Sequence, residues 1–330
     1  MNRKVAVIGS NSFSGSDFID LLLENSENQI IGISRSPEKD PVFLPYKRHK
    51  NPNFSFHQLD LNQDMDEILS LLDSFKPEFI INFAAQSEVA PSWEHPEQWF
   101  QTNAVSLSQL CHFLKNKSFL KRYVHISTPE VYGTCHGNIK EDAPLNPSTP
   151  YAASKAAGDL FLFTLVKNYN FPMVMIRSTN IYGAHQQLHK IIPRSVIYIK
   201  SKKKIDLHGG GLAVKSYIHI RDISKGELAA MERGKNGLIY HLSPEKGIAV
   251  KDLVQMICEK MKVPFDSAAR SVGERLGQDA AYLLDASRAK SELGWKPLIS
   301  MEQGIQGVID WVENNWSQLQ GKPLEYLHKA

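Results

Sequence analysis

The sequence has little cysteine. Its three residues, Cys111, Cys135 and Cys258, are too few and too scattered for a disulfide framework or a thiolate metal site. Cys135-His136 could be half of a metal site, but no second half lies near it in the sequence. No apolar run approaches bilayer length, so no membrane span is expected. The opening MNRKVAVIGS has too short an apolar stretch for a signal peptide and no cleavage site after it, and it reads as a strand. Charge of one sign is scarce as well. A net charge of +3 does not suggest nucleic acid, and the basic run from Lys200 to Lys204 reads as a solvated face. Internal repeats and low-complexity segments are missing. What remains is a soluble, cytoplasmic protein of a reducing compartment. At 330 residues, 42% hydrophobic and 22% charged, it can build one large domain or two modest ones with their own cores.

The first half alternates apolar runs with amphipathic stretches. Strands are expected at Lys4 to Gly9, Ile30 to Ser34, Phe54 to Leu59, Phe79 to Phe83, Tyr123 to Ser127 and Met173 to Arg177. Helices are expected at Ser14 to Glu24 and Met65 to Phe75, in a long stretch through Leu114, and through the 150s and 160s. Continuous apolar strands separated by helices imply a parallel sheet covered on both faces. Such sheets bind ligands beyond the carboxyl ends of their strands. Past Arg177 the regularity fails. Short strands around Ile205 and Tyr217, helices from Ile223, Val250 and Ala286, and a last helix from Met301 to about Asn315 suggest a smaller, discontinuous lobe. The expected division is 1–178, with parts of 212–242 returning to it, and 179–330.

The stretch from His125 to Lys155 carries groups that move protons: Glu130, Tyr151 and Lys155. Tyr151 and Lys155 are four apart, so on a helix they share a face. An ammonium near the phenol would lower its pKa and make Tyr151 a general base for a hydroxyl proton.

Gly9-Ser-Asn-Ser-Phe-Ser-Gly15 follows the first strand and enters a helix, as a pyrophosphate-binding turn does. Ser12 stands where a middle glycine is usual. After the second strand no carboxylate is present to bind an NAD ribose. Ser34, Arg35 and Ser36 stand there instead and suit a 2′-phosphate, so NADP is expected over NAD. Asp60 could accept from the adenine amino group or cap the following helix.

Together these residues resemble the extended short-chain dehydrogenase/reductase family, and within it the nucleotide-sugar 4,6-dehydratases of the dTDP-glucose and GDP-mannose type. The resemblance spans nearly the whole chain. It rests on the Gly9 to Gly15 turn, Asn82-Phe-Ala-Ala-Gln-Ser87, Asn103, Ser127-Thr128-Pro129-Glu130-Val131-Tyr132-Gly133 and Tyr151-Ala-Ala-Ser-Lys155. It continues through Arg177-Ser-Thr-Asn180-Ile-Tyr-Gly183, His189-Lys190-Ile-Ile-Pro193, Glu274-Arg275-Leu-Gly-Gln-Asp279, Leu284-Asp285-Ala-Ser and Leu293-Gly-Trp295. The implied fold is α/β, a Rossmann-type doubly wound parallel sheet with a smaller substrate lobe. The implied cofactor site comprises Gly9, Asn11, Ser12, Phe13, Ser14, Gly15, Ser34, Arg35, Ser36, Asp60, Leu61, Ala84, Ala85 and Gln86, together with Tyr151 and Lys155. Ser87, Glu88, Asn180, Lys190, Lys215 and Arg275 would bind the nucleotide-diphosphate sugar. The implied chemistry is oxidation at C4 with Tyr151 as base and Thr128 on the 4-oxygen. Glu130 then removes the C5 proton, water leaves from C6, and hydride returns to C6. The product would be a 4-keto-6-deoxy sugar nucleotide, with the cofactor tightly bound and regenerated in each cycle. Helices carrying 97–115 and 151–168 would pair two copies as a homodimer.

Three positions depart from the family pattern. Pro129 replaces an aspartate or serine, and the aspartate would protonate the leaving hydroxyl. Glu130 could act as base and then acid, a water could supply the proton, or the reaction could be a different one. Glu88 replaces a histidine and Lys215 an arginine. A 4-epimerase or a uronic-acid decarboxylase of the same fold is the alternative enzyme, although an epimerase has no need of Glu130. A cofactor-sensing protein without catalysis is the alternative outside enzymes, but such proteins lose the Tyr/Lys pair.

Overall fold

A computed structural model describes residues 2–134, 137–273 and 283–329. Its centre is a parallel sheet of β1 Lys4–Ile8, β2 Gln29–Ser34, β3 Phe54–Gln58, β4 Phe79–Asn82, β5 Arg122–Ile126, β6 Met173–Ser178 and β7 Ile239–Leu242. The strand order is β7-β6-β5-β4-β1-β2-β3. The longer helices are α1 Phe13–Leu23, α2 Met65–Phe75, α3 Leu107–Leu114, α4 Pro150–Tyr169, α5 Ile191–Lys200, α6 Ile220–Arg233, α7 Val250–Lys260 and α8 Met301–Asn314.

The inner strands are largely apolar because helices cover both faces, whereas the edge strand β3, Phe54-Ser-Phe-His-Gln58, is only partly buried. Alternate side chains point to opposite sides. Val5 and Val7 of β1 join a core with Phe18 and Ile19 of α1 and Ile223 and Ala230 of α6. Ala6 and Ile8 join the opposite core, with Ile68 and Leu72 of α2, Leu110 of α3 and Leu162 of α4. β1 pairs with β2 on one side and β4 on the other, so the chain order reverses between β1 and β4. A doubly wound sheet opens its ligand crevice at that reversal.

A separate core gathers Ile192 and Val196 of α5, Leu253 and Ile257 of α7, and Ile305, Val308 and Val312 of α8. Small strand pairs accompany it. Tyr217–His219 runs parallel to Asn180–Tyr182, and Ala269–Val272 runs parallel to Ile205–His208. Among the described residues no helix is long and apolar enough to cross a membrane.

Three local features differ from the sequence expectation. The long helix through Leu114 is interrupted: Pro96–Phe100 passes through a π-helical turn, Gln101–Ser106, before α3 begins. That turn holds Asn103, whose amide accepts from Gln86 N at 3.0 Å and donates to Gln86 O at 2.9 Å and Ser154 Oγ at 3.0 Å. Helix α6 starts at Ile220 rather than Ile223, because the His219 ring accepts from Arg221 N at 3.1 Å and caps it. The helix expected from Ala286 runs Ser287–Leu293.

Candidate active site

The turn after β1 forms the floor of the crevice. Gly9 has φ +85°, and a Cβ there would stand 2.6 Å from Ala84 N. At Gly15 a Cβ would stand 2.4 Å from Gly9 O. Both positions therefore require glycine. Ser12 does not: its φ of −70° is ordinary, and its hydroxyl caps α1 by accepting from Gly15 N at 2.9 Å. A serine in the middle of this turn thus costs nothing sterically and satisfies one helix N–H. The N-terminal end of α1 opens on the cleft at Ser12 and Ser14 and offers N–H groups and a positive dipole end to a pyrophosphate. The turn fits a dinucleotide.

Ser34 ties this floor to the end of β2, its hydroxyl accepting from Asn11 N at 3.0 Å. The Asn11 amide donates to Ser36 O and Pro37 O, both at 2.8 Å. Asp60 accepts from Asn62 N at 2.8 Å, so one carboxylate oxygen braces its own turn. Gly9, Asn11, Ser12, Ser34, Arg35, Ser36, Asp60, Leu61, Ala84, Ala85, Gln86, Ser87 and Glu88 line one cavity of about 390 Å³. Phe13, Ser14, Thr128, Glu130, Tyr151, Asn180 and Lys190 line a second, of about 380 Å³. Ser12, Phe83, Ser87 and Gln187 belong to both linings, so the two cavities form one cleft. Gly15 and Lys155 lie behind its wall.

The reaction end is built where β5 stops. Thr128 caps a 3-10 turn, Pro129–Tyr132, by accepting from Glu130 N at 3.3 Å. Pro129 occupies the first position of that turn, where a fixed φ helps and no N–H is needed. Thr149 caps α4, accepting from Ala152 N at 3.1 Å, and sets Tyr151 in the first turn. The phenol is buried. Burial first, then the Glu130, Glu88 and Asp159 carboxylates, push its pKa up, against a hydrogen bond with Thr128 that pulls it down. The expected lowering is therefore not met. Lys155 turns its ammonium to Ile126 O, 2.8 Å away, rather than acting as the dominant neighbour of the phenol.

Behind Lys155 lies a buried polar set that the sequence reading did not single out. Asp159 accepts from Ser127 Oγ at 2.6 Å and Arg177 Nη2 at 2.7 Å, and lies 3.4 Å from His125 Nε2. His125 Nε2 is also 3.4 Å from Lys155 Nζ. Burial pushes Lys155 down to about 8, with Asp159 opposing and Arg177 assisting. Burial pushes Asp159 up, but His125, Arg177 and Lys155 outweigh it and hold the carboxyl at about 2. His125 is pushed down to about 4, by burial first and then by the lysine, so it is neutral at pH 7. A signal was available: Asp159 is four residues after Lys155, on the same helix face.

On the substrate side Glu88 meets Lys190, with Oε1 2.6 Å from Nζ, and lies 3.5 Å from His189 Nε2. Burial pushes Glu88 up, yet His189 and Lys190 together hold it at about 2. Asn180 Nδ2 donates to Ser216 O at 3.2 Å. Lys215 pairs with Ile248 in a short antiparallel ribbon and stays out of the cleft lining, although Tyr217, two residues on, is part of it. Arg275 lies outside the described residues, as does Cys135-His136.

A doubly wound sheet, a glycine turn at its reversal point, and Tyr151 beside Thr128 and Glu130 define a nicotinamide-dinucleotide enzyme with an extra acid–base group. The family model described as GDP-mannose 4,6 dehydratase matches residues 7–308, and the chain belongs to that family. The dTDP-glucose 4,6-dehydratase of Haemophilus influenzae is 27% identical, with 93% of this chain and 97% of that protein covered. The dTDP-glucose 4,6-dehydratase of Streptomyces antibioticus is 32% identical, with 77% of each covered. Among solved structures, the dTDP-glucose 4,6-dehydratase of Streptomyces venezuelae with NAD bound superimposes with a TM-score of 0.88 at 27% identity. It covers 97% of this chain and 99% of that one. The protein is a sugar-nucleotide 4,6-dehydratase, a hydro-lyase of the extended short-chain dehydrogenase/reductase type.

Proposed function

We propose that the chain converts a nucleotide-diphosphate hexose to its 4-keto-6-deoxy form through Tyr151, Thr128, Glu130 and Lys155. A dinucleotide held by the Gly9–Gly15 turn would supply the acceptor for the C4 hydride and its donor to C6. Tyr151 accepts the 4-hydroxyl proton as a phenolate, a state that the charges of Lys155 and of an oxidised dinucleotide would favour against the burial that raises its pKa, and Thr128, hydrogen-bonded to the phenol, holds the 4-oxygen. The 4-ketone acidifies the C5 proton, which Glu130 removes. Pro129 has no proton to give, so Glu130 protonates the departing 6-hydroxyl in turn, and once hydride is added at C6 the proton taken up by Tyr151 is returned to C5. The carrying observation is that Glu130 lines the same cleft as Tyr151 and Thr128. Lys155 keeps a positive charge behind the nicotinamide end of the site. Ser87, Glu88, Asn180 and Lys190 face the sugar and diphosphate, and Lys215 and Arg275 are assigned to the same ligand.

The reading extends to the cofactor and the assembly. Arg35 lines the adenosine end and the end of β2, Ser34-Arg35-Ser36, carries no acidic residue, which supports NADP over NAD. The expected division into a dinucleotide-binding domain, 1–178 with parts of 212–242, and a substrate lobe, 179–330, is kept. Exposed Val105 and Leu160 lie on the helices assigned to dimer contacts and support a homodimer. The free, buried Cys111 and Cys258 are compatible with a reducing compartment such as the cytoplasm.

The test offers GDP-, UDP-, dTDP- and CDP-sugars, hexose and N-acetylhexosamine alike, and follows products by mass spectrometry. Loss of one water with no net change in the cofactor is expected. Tyr151→Phe should abolish hydride transfer with the fold retained. Glu130→Gln should leave transient cofactor reduction but slow dehydration about 10²–10⁴-fold. Full turnover by the Glu130 variant would remove the mechanism.

A further inference from the structure

We propose that residues 322–329 form the outer wall of the dinucleotide site and hold the bound cofactor in place. The inference rests on the reading of this cleft as a nicotinamide-dinucleotide site.

The segment crosses the crevice from rim to rim. Lys322 Nζ lies 2.8 Å from Asp40 Oδ2, on the loop after β2. At the far end, the Lys329 carbonyl oxygen accepts from Arg35 Nη2 at 3.1 Å and from Gln86 Nε2 at 2.9 Å. Arg35 follows β2 and Gln86 follows β4, so one oxygen joins the two walls that flank the glycine turn. Between these ends the segment is held by its own side chains. The His328 ring stacks on Trp99 at 5.2 Å and 16°, and its Nε2 is 2.8 Å from Gln98 Oε1. Tyr326 meets the His189 ring edge-on at 5.5 Å, beside the Glu88–Lys190 pair.

The segment covers the cleft without filling it. A cavity of about 390 Å³ lies between Gly9 and Ser12 on one side and Tyr326 and Lys329 on the other. Lys329 joins Arg35 and Lys39 in its lining, so three cations face a ligand that carries phosphates. A wall that must part for the cofactor to leave suits a reaction that returns its hydride in each cycle, because such an enzyme has no need to exchange cofactor between turnovers. Of the two ring contacts, the His328 stack on Trp99 lies outside the cavity lining, whereas Tyr326 and His189 are part of its wall; removing both rings leaves the floor at Gly9 and Ser12 untouched.

The experiment measures NADPH and NADH release from the full-length protein by stopped-flow fluorescence after a chase with excess unlabelled oxidised cofactor. It compares wild type with the Tyr326→Ala/His328→Ala double variant. Release is expected to accelerate about tenfold or more, the equivalent of two aromatic contacts. Hydrogen exchange of residues 321–329 is followed in the same protein, without substitution, before and after NADPH addition. Protection there should rise. Tighter binding by the double variant, or loss of protection when NADPH binds, would mean that the segment competes with the cofactor and would overturn the proposal. Unchanged release rates with normal binding would overturn it too. If wild type binds neither NADPH nor NADH, the reading of the cleft itself fails.

Discussion

The Asp159 carboxylate keeps the ammonium of Lys155 charged in a site where burial works against it. Lys155 faces His125 and the Ile126 carbonyl of β5, Arg177 of β6, and Asp159 of its own helix. A lysine at about 8 loses its charge as the pH rises through that value. Turnover should therefore fall on the alkaline side above about pH 8. Asp159→Asn removes the main influence raising the lysine and should move that limb to lower pH. The pH dependence of kcat for both proteins decides this, and an unmoved alkaline limb would refute the role of Asp159. The same substitution leaves Arg177 buried without its carboxylate and should cost about 3–5 kcal/mol in a denaturant melt.

Acid should weaken the fold through the same carboxylates. Glu88 and Asp159 both sit at about 2, below their ordinary values of 4.5 and 3.8. Groups with depressed pKa values stabilise the folded state above their unfolded values, and that contribution is lost as the pH falls through the folded ones. Stability should thus decline from near pH 4.5 towards pH 2. Glu88→Gln should flatten part of the slope, by about 2 kcal/mol at most because Lys190 is partly exposed. Urea midpoints at a series of pH values would show it, and parallel curves for the two proteins would contradict it.

Gly9→Ala tests the floor of the cleft. Its φ of +85° disfavours a side chain, and the new Cβ would meet the Ala84 backbone. A loss of about 2 kcal/mol or more is expected, with weaker dinucleotide binding. Thermal melts and NADPH titration measure the two effects separately. Ser12→Gly should be far milder, since Ser12 needs no glycine conformation and loses only its cap.

Arg35→Ala tests the choice of cofactor. NADPH binding should weaken about tenfold or more relative to NADH, the usual scale of a charge-assisted contact. The ratio of the two affinities is the readout, because Arg35 also donates to Lys329 O and its loss can affect both cofactors. An unchanged ratio would remove the argument for NADP.

What was legible in the sequence is local. The glycine turn, its helix and the strands can be read because their rules act over a few residues: spacing, caps and alternation. Tyr151 and Lys155 could be placed on one face of α4 for the same reason. The environment of Tyr151 could not. Its burial and its proximity to Glu130 and Glu88 arise from segments far apart in the chain, and they reverse the expected direction of its pKa. Glu88 and Lys190 illustrate the same limit, since nothing near either residue announces the other. The π-helical turn at Asn103 has no periodic signature, and neither does the course of residues 322–329, whose anchors are single rings and one carbonyl.

The edge strand β7 has a consequence for how the molecule is made. β6 is complete at Ser178, but its partner begins only at Ile239, after the chain has built α5 and α6. A growing polypeptide therefore carries a β6 edge that lacks its outer partner through that interval and is apolar from Met173 to Ile176. Such edges recruit other strands, and parallel partners distant in sequence find each other slowly. Aggregation during synthesis should concentrate in this window, before Tyr240 and Leu242 close the edge.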